Sequence, residues 1–391
     1  MKITRCEAWP YTLELEEPFT IAYSSIDHTV NVFLRIETNH GIIGYGCGAH
    51  DEEVTGENGD TILEALNDIA IPFLKGRDPD YLPRIITDLE LELKRHRNTH
   101  TLRNSLAKSI DTADIGADIG QPTALAAVDM ALYDIAAKQA GLPLYKYLGA
   151  CRDSISTSVT IGIESPENTI AKAIAWKKRG FISLKLKGGK NVEQDIERCR
   201  KVREAVGSEM ELRFDANQGF SREEALRFIR GVVPAGLSIL EQPIDKLDLA
   251  GLGVAGEAAR SLAVVPPAGG NHLQVMADEA VLSPADAAAI EGAGGADAYN
   301  IKLAKSGGLY RAAEIDAIAR AAAAPTMIGC MDEAGLGVAA GLHFALSRPN
   351  VAYADLDGHL EFTNDPSYHA VRINRGIVYP LEIPGIGFEF T

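Results

Sequence analysis

The sequence has few cysteines, no long apolar run and no excess of basic charge. Its five cysteines are an odd number without a Cys-x-x-Cys pair, which excludes a disulfide framework and a thiolate zinc site. No stretch approaches the roughly 20 uninterrupted apolar residues of a membrane span, and no apolar signal core follows Met1. The formal net charge is −16, and no basic stripe offsets it for nucleic acid. We therefore expect a soluble, cytoplasmic protein that binds neither membrane nor nucleic acid.

The chain is long and rich in apolar residues. Its 391 residues are 46% apolar, which is enough to bury a large core. This length accommodates a barrel of about 250 residues together with a second domain. The first third has an α+β pattern, in which two strand-like runs, 30–37 and 41–46, precede helical patterns at 61–74, 81–93 and 124–140.

From about residue 156, short apolar runs alternate with amphipathic helical stretches. Eight β-rich runs recur, at 156–161, 183–187, 211–215, 238–241, 275–278, 299–303, 326–330 and 351–356. No Gly-rich phosphate loop follows any of them, which argues against an open dinucleotide-binding sheet. The repeat therefore predicts an α/β protein built on a parallel (β/α) barrel.

Charged side chains stand at the ends of these runs, where a parallel barrel places its active site. Lys185 and Lys187 lie two residues apart on one strand, so both amines face the same side and each disfavours the charged form of the other. Asp215, Glu241 and Asp278 end the next three strands. Three converging carboxylates without His or Cys predict a site for one hard divalent ion, and Mg²⁺ is the first choice.

Lys302 ends a strand well separated from that of Lys187 around the predicted cylinder. With a divalent ion on a substrate carboxylate to stabilise the enediolate, one lysine can remove an α-proton while the other returns one to the opposite face. Lys185 is then the electrostatic neighbour that keeps Lys187 partly neutral. Two other interpretations stay open, a Schiff-base aldolase that uses Lys187 or Lys302 and a metal-binding barrel without catalysis.

Six segments carry a resemblance to a known family: Lys185-Leu186-Lys187, Asp215-Ala216-Asn217, Glu241-Gln242-Pro243, Asp278-Glu279, Ile301-Lys302 and the helical stretch 127–134. Together they resemble the muconate-lactonizing subgroup of the enolase superfamily, along essentially the whole chain. The resemblance implies a modified (β/α)7β TIM-type barrel over 126–364. It also implies an N-terminal α+β capping domain over 1–125, completed by the segment 365–391. The metal and acid/base roles given above are those of the family, whose members are often homo-oligomers.

The last strand indicates a substrate with a free amine. Asp355 and Asp357 share one face, and Asp355-Leu356-Asp357 resembles the aspartate pair with which dipeptide epimerases hold an amino terminus. We therefore predict two-base epimerisation at the α-carbon of the C-terminal residue of an L,L-dipeptide. An N-acylamino acid racemase, a cycloisomerase or a dehydratase of the same subgroup is the alternative, because none of these needs an ammonium clamp.

The capping loops bear on the choice of dipeptide. Epimerases that act on Ala-Glu resemble one another in a loop arginine that would pair with the Glu side chain. Ser24 stands at that position here, which argues against specificity for Ala-Glu. Acidic residues that can reach the pocket are Asp51, Glu52 and Glu53 in the second loop and Asp332 after the seventh strand. They favour a cationic side chain, with hydrophobic dipeptides as the second choice.

Overall fold

The chain opens with an antiparallel sheet of three strands in chain order. The computed structural model describes residues 1–104, 120–262 and 272–390. The strands are β1 (Ile3–Thr20), β2 (Ser25–Thr38) and β3 (Ile43–Ala49). β2 is longer than the apolar run at 30–37 because its main-chain pairing with β1 continues where the side chains are exposed. The predicted hairpin therefore forms, with a long first strand added at its edge.

In the described residues, six helices follow this sheet: α1 (Glu52–Thr55), α2 (Gly59–Ala65), α3 (Ile71–Leu74), α4 (Leu82–Asn104), α5 (Pro122–Gln139) and α6 (Leu144–Tyr147). The single helix predicted at 61–74 is interrupted by a π-helical turn, Leu66–Ala70. Pro72 comes just after this turn and has no N–H to continue the regular hydrogen-bond ladder, which accounts for the interruption.

Helix α5 lies directly on β3, and two glycines permit this contact. A Cβ atom at Gly44 would lie 2.1 Å from the carbonyl oxygen of Ala131, and one at Gly46 would lie 1.9 Å from that of Ala127. Any larger side chain would force the strand and the helix apart. Because α5 is covered on almost every side, its apolar residues extend around the helix instead of forming one stripe.

Two buried carboxylates join α5 to distant parts of the chain. Asp129 accepts hydrogen bonds from the main-chain N–H groups of Leu309 and Tyr310. Asp134 accepts from the N–H of Tyr45 at 3.0 Å and from that of Ile386 at 2.8 Å. Helix α5 is thus bonded to the first sheet, to the barrel and to the C-terminal segment. The domain division at residue 125, which stays a prediction, falls within this helix.

The barrel strands run parallel and in chain order. The strands that follow α6 are β4 (Ile155–Ser156), β5 (Val159–Ile161), β6 (Ser183–Lys187), β7 (Glu211–Asp215), β8 (Ile239–Glu241), β9 (Gln274–Ala277), β10 (Ala298–Lys302), β11 (Thr326–Gly329) and β12 (Val351–Asp355). Strands β5 to β12 form one eight-stranded sheet. A bridge between Thr157 and Ala354 brings the last strand back beside the first. This nearly closed sheet, with the antiparallel sheet before it, confirms the predicted barrel and N-terminal α+β unit.

Seven helical crossovers connect the eight strands of this sheet. Their helices are α7 (Pro166–Lys178), α8 (Val192–Val206), α9 (Arg222–Gly231), α10 (Leu249–Ser261), α11 (Pro284–Gly292), α12 (Leu303–Ser306), α13 (Leu309–Ala321) and α14 (Gly335–Ser347). Side chains at Ser165, Asn191, Ser221 and Ser283 accept an N–H from the first turn and set where four of these helices begin. None of the described helices combines the length and apolarity needed to cross a membrane.

The C-terminal segment has two different partners. Strands β13 (Val371–Asn374) and β14 (Ile377–Pro380) form a hairpin that pairs with β4. Only the last residues return to the first sheet, where the ring of Phe390 lies 5.2 Å from that of Trp9 and 5.1 Å from that of Phe33. The assignment of 365–391 to the capping domain stays a prediction, and these final aromatic residues are the part of the segment that contacts the first sheet.

Candidate active site

A cavity of about 720 Å³, including its open mouth, lies over the C-terminal ends of the barrel strands. Three of its lining side chains are lysines at or near strand ends, namely Lys185, Lys187 and Lys302. Loops of the first sheet contribute a second group: Phe19, Ile21, Tyr23, His50, Asp51 and Val54. The wall is therefore assembled from both parts of the chain.

The three predicted metal ligands meet beneath these lysines. Asp215, Glu241 and Asp278 are at most 1% exposed, and one oxygen atom from each lies within 4.8 Å of the others. Burial and then the charge of Asp215 raise the pKa of Glu241 well above its usual value. A buried, oxygen-only donor set fits a hard cation such as Mg²⁺.

Lysine side chains pair with the outer two carboxylates. The Nζ atom of Lys187 donates to Asp215 at 2.7 Å, and that of Lys302 donates to Asp278 at 2.7 Å. Lys305, whose role the sequence did not reveal, is fully buried and also binds the carboxylate and the carbonyl oxygen of Asp278. Although burial opposes ionisation, Lys302 and Lys305 hold the pKa of Asp278 well below its usual range.

Lys185 is enclosed by carboxylates. Its Nζ atom lies 2.5 Å from Asp355, 3.3 Å from Glu241 and 3.5 Å from Asp215. Burial alone would lower the pKa of Lys185, but these three charges raise it well above the usual value. Lys185 is thus a fixed cation next to Lys187. The repulsion predicted between the two amines is offset by Asp215, which both of them contact.

Lys187 and Lys302 stand on opposite sides of the barrel. Lys187 ends β6 and Lys302 ends β10, and three strands separate these two in the eight-stranded sheet. Both side chains line the cavity. A molecule bound between them therefore has one amine on each side, which is the arrangement predicted for two-base proton transfer.

Amide side chains orient two of the carboxylates. Asn300 donates to Glu241 at 2.8 Å. The side-chain oxygen of Gln242 accepts the N–H groups of Asp278 at 2.9 Å and of Ala280 at 3.1 Å. Gln242 also holds a positive φ of 31° directly after Glu241, a strained conformation of the kind found at functional sites. The sequence shows Gln242 as part of a motif, but its positioning role appears only in three dimensions.

Two further polar residues on the cavity wall have unsatisfied atoms. Asn217 and Glu279 bind one another at 3.1 Å, but the Oδ1 atom of Asn217 and the Oε2 atom of Glu279 are buried and have no hydrogen-bond partner among the described residues. Buried polar atoms are rarely left unpaired. Asn217 and Glu279 follow the predicted ligands Asp215 and Asp278 closely in the chain, so their unpaired oxygen atoms would be available to water molecules on a bound cation.

The two aspartates of the last strand have different surroundings. Asp355 is engaged within the protein, since it accepts from Lys185 at 2.5 Å and from Ser158 at 2.6 Å. Asp357 accepts only the N–H of Thr160, at 2.6 Å, among the described residues. Burial, followed by the nearby charge of Asp355, raises the pKa of Asp357 to about 7. Both line the cavity, and Asp357 is the one without a cation of its own.

The structure does not bring Ser24 or Glu52 to the cavity wall. Ile21 and Tyr23 project there from the first loop, because a tight turn from Ile21 to Ser24 directs Ser24 elsewhere. In the second loop the lining residue is Asp51, whose carboxylate accepts the hydroxyl of Tyr23 at 3.0 Å. This hydrogen bond joins the two loops above the cavity.

The outer wall of the cavity is acidic. Asp332 lies there as predicted, and Glu361 joins it without any signal in the sequence. Burial and the charges of Asp357 and Asp332 raise the pKa of Glu361 to about 7. Within 1–104, 120–262 and 272–390, no lysine or arginine forms a salt bridge with Asp332, Asp357, Glu361 or Asp51. The wall is therefore complementary to positive charge.

Comparisons with known proteins agree with this geometry. A family model described as "Enolase C-terminal domain-like" matches residues 169–391, and "Mandelate racemase / muconate lactonizing enzyme, N-terminal domain" matches residues 4–149. An L-Lys-D/L-Arg epimerase from Desulforapulum autotrophicum is 37% identical, over 100% of this chain and 99% of its own length. An L-Ala-D/L-Glu epimerase from Bacillus subtilis is 35% identical, over 98% and 95%.

Solved structures show the same likeness. A dipeptide epimerase from Methylococcus capsulatus, complexed with Mg and the dipeptide L-Arg-D-Lys, has a TM-score of 0.84 and 34% identity over 99% of each chain. A dipeptide epimerase from Enterococcus faecalis, complexed with Mg and L-Leu-L-Tyr, has a TM-score of 0.85 and 30% identity over 99% of each chain.

The carboxylate group generates a prediction about metal binding. Replacing Glu241→Gln removes one anionic ligand, and we expect the affinity for Mg²⁺ to fall at least about tenfold, as measured by titration calorimetry. Glu333→Gln is the matched control, because burial raises the pKa of Glu333 to about 8 and its carboxyl is already neutral. Unchanged Mg²⁺ affinity in Glu241→Gln would contradict the assignment.

Proposed function

The chain belongs to the mandelate racemase and muconate lactonizing enzyme group of the enolase superfamily, and we propose that it is a Mg²⁺-dependent dipeptide epimerase that prefers cationic dipeptides. One observation carries the proposal. Lys187 and Lys302 stand on opposite sides of a cavity that also contains Asp357, a carboxylate without a cationic partner among the described residues. This arrangement supports proton transfer at a carbon whose substrate also carries an ammonium group.

The two lysines divide the proton transfer between them. One removes the α-proton of the C-terminal residue from one face, and the other delivers a proton to the opposite face, which inverts the centre. Lys185 stays protonated and is a fixed positive charge beside Lys187. Asp215, Glu241 and Asp278 would hold Mg²⁺, which when bound supplies the positive charge that stabilises the substrate carboxylate as the α-proton leaves.

The last strand binds the other end of the dipeptide. Asp357 is free to receive the α-ammonium group, while Asp355 keeps Lys185 in place and adds negative charge. An N-acylated amino acid, the substrate of the alternative racemase, has no ammonium and would leave Asp357 unpaired. The acidic outer wall, which includes Asp332 and Glu361, then receives a positively charged side chain. The M. capsulatus enzyme with its Arg-Lys ligand is in line with this preference.

The lysine pair predicts a specific isotope result. In deuterium oxide, Lys187→Met and Lys302→Met are each expected to slow the epimerisation of L-Lys-L-Lys by about 10²–10⁴-fold. Each variant keeps one base on one face of the α-carbon. It should therefore still exchange the α-proton with deuterium from the solvent, but in only one of the two epimers. Mass spectrometry of both epimers measures this.

The matched control is Lys190→Met, an exposed lysine three residues after Lys187 that does not line the cavity. Full epimerisation by either active-site variant, or exchange of both epimers by both variants, would rule out the two-base assignment.

The surroundings of Asp357 predict a pH dependence. Because its pKa is about 7, the carboxyl is neutral below that pH and gains its charge as the pH rises. We expect KM for a dipeptide to fall between pH 6 and 8, until the substrate amine itself loses its proton near about 8. Asp357→Asn should raise KM at pH 8 about tenfold and abolish the fall. A variant that keeps the parent's KM profile would exclude ammonium recognition by Asp357.

The acidic wall predicts the preference among dipeptides. Glu361→Gln and Asp332→Asn are each expected to reduce kcat/KM for L-Lys-L-Lys about tenfold, because a desolvated charge pair is lost. The value for L-Leu-L-Leu should stay within about twofold. Glu53→Gln, an exposed residue on α1 outside the cavity, is the control. Equal losses on both dipeptides would show that the wall does not select charge.

A further inference from the structure

A second cavity, of about 810 Å³, shares a wall with the active cavity. The wall is the short 3-10 turn Gly358–Glu361, which directly follows Asp357. Gly358 and Glu361 line the active cavity, whereas His359 and Leu360 line the second one. We call the second space the basic cavity, after its charged and aromatic lining residues: Arg179, His359, Tyr368, His369, Arg372 and Arg375.

The charge of the basic cavity is opposite to that of the chain. The protein carries 54 acidic and 38 basic residues, yet no Asp or Glu among the described residues lines this space. Arg179, Arg372 and Arg375 form no salt bridge with any carboxylate in the part of the chain that the structure describes. Three arginines without counter-ions are therefore gathered around one cavity of an acidic protein.

Two of these arginines are oriented by stacking on aromatic rings, not by ion pairs. The guanidinium of Arg179 lies 3.9 Å above the ring of Trp176, and that of Arg372 lies 5.0 Å above the ring of Tyr379. A stacked guanidinium contacts the ring with its face and keeps its N–H donors at the edge. Both groups are thus oriented and still able to bind an anion.

The third arginine stands in a strained turn. Arg375 and Gly376 form the two-residue connection between β13 and β14, with φ values of 52° and 73°. Asn or Gly normally occupies the first of these positions, since a left-handed conformation disfavours a long side chain. The Cβ and Cγ atoms of Arg375 pack against Gly180, and a Cβ atom added at Gly180 would lie only 2.9 Å from them. Gly180 directly follows Arg179 in the chain, so this contact brings the main chain at Arg179 near Arg375. Strain of this kind is characteristic of functional positions.

His359 forms a buried part of the cavity wall. Its side chain lines the basic cavity, and the residue is only 2% exposed. Burial lowers the pKa of His359 to about 4, so the imidazole is neutral. The three arginines therefore supply positive charge to this cavity, and His359 does not.

We propose that the basic cavity binds a small anion with several phosphate groups. The planar donor fork of arginine matches the oxygen geometry of phosphate, and three such forks around one space match a chain of phosphates better than a single one. The ring of Tyr368 is 37% exposed and lies 5.4 Å from that of His359, so it can also contact a base. Inorganic polyphosphate and a nucleoside triphosphate share this chemistry. The site does not depend on the proposed epimerase activity.

The test is calorimetric titration of the full chain, without added divalent ions, with tripolyphosphate and separately with ATP. Sodium sulfate at equal ionic strength serves as the control for general ionic attraction. We expect binding of both probes, weakened at least tenfold in Arg179→Gln and in Arg375→Gln. The exposed Arg230 on α9 lies outside the cavity, and Arg230→Gln should bind as the parent does. Tighter binding of ATP than of tripolyphosphate would identify a nucleotide, and equal binding an inorganic chain.

Several results would overturn the proposal. These are no binding of either probe at millimolar concentration, equal competition by sulfate, or the same loss in Arg230→Gln as in the cavity variants. Sedimentation of each variant provides a second measurement. If Arg179→Gln and Arg375→Gln change the mass of the protein in solution and leave probe binding unaltered, the arginines serve contacts between subunits and the phosphate site is refuted.

Discussion

Charge balance in a buried cluster is the constraint on which this structure depends. Four lysines and four carboxylates lie together at the C-terminal edge of the barrel: Lys185, Lys187, Lys302, Lys305, Asp215, Glu241, Asp278 and Asp355. The strand register creates this arrangement, because Lys187 lies opposite Asp215 and Asp215 lies opposite Glu241 in adjacent strands. Removal of one member leaves its partner as an uncompensated buried charge, which costs about 3–5 kcal/mol. Catalytic and structural demands therefore fall on the same side chains.

The residues proposed to select the side chain lie in a different part of the molecule. Strand ends supply the floor of the active cavity, and loops supply its wall, where Tyr23 and Asp51 are joined above the opening. A wall residue such as Glu361 has no neighbour in the lysine cluster within salt-bridge distance among the described residues, so a change there does not disturb the charge balance. The proposed proton transfer and the proposed choice of side chain therefore use different residues.

The sequence predicted the barrel and the strand-end residues well because both follow from local periodicity. The strands at 183–187 and 211–215 have the predicted bounds, and the residues that end them share one cavity or one carboxylate group. The loops have no period, so nothing in the sequence showed that Ile21 and Tyr23, not Ser24, face the substrate space. The role of Lys305 could not be predicted from the sequence for another reason. It lies on a helix after its strand, and only the tertiary contact with Asp278 shows what it does.

Helix α5 has a consequence for how a local change would spread through the fold. Its glycine-lined contact with β3 and its two bonded carboxylates, Asp129 and Asp134, tie loop-bearing and strand-bearing parts of the chain to one another. The N–H groups that Asp134 satisfies belong to the first sheet and to the C-terminal segment, which are far apart in the sequence. Loss of this one carboxylate would therefore leave buried donors without partners at two distant places at once.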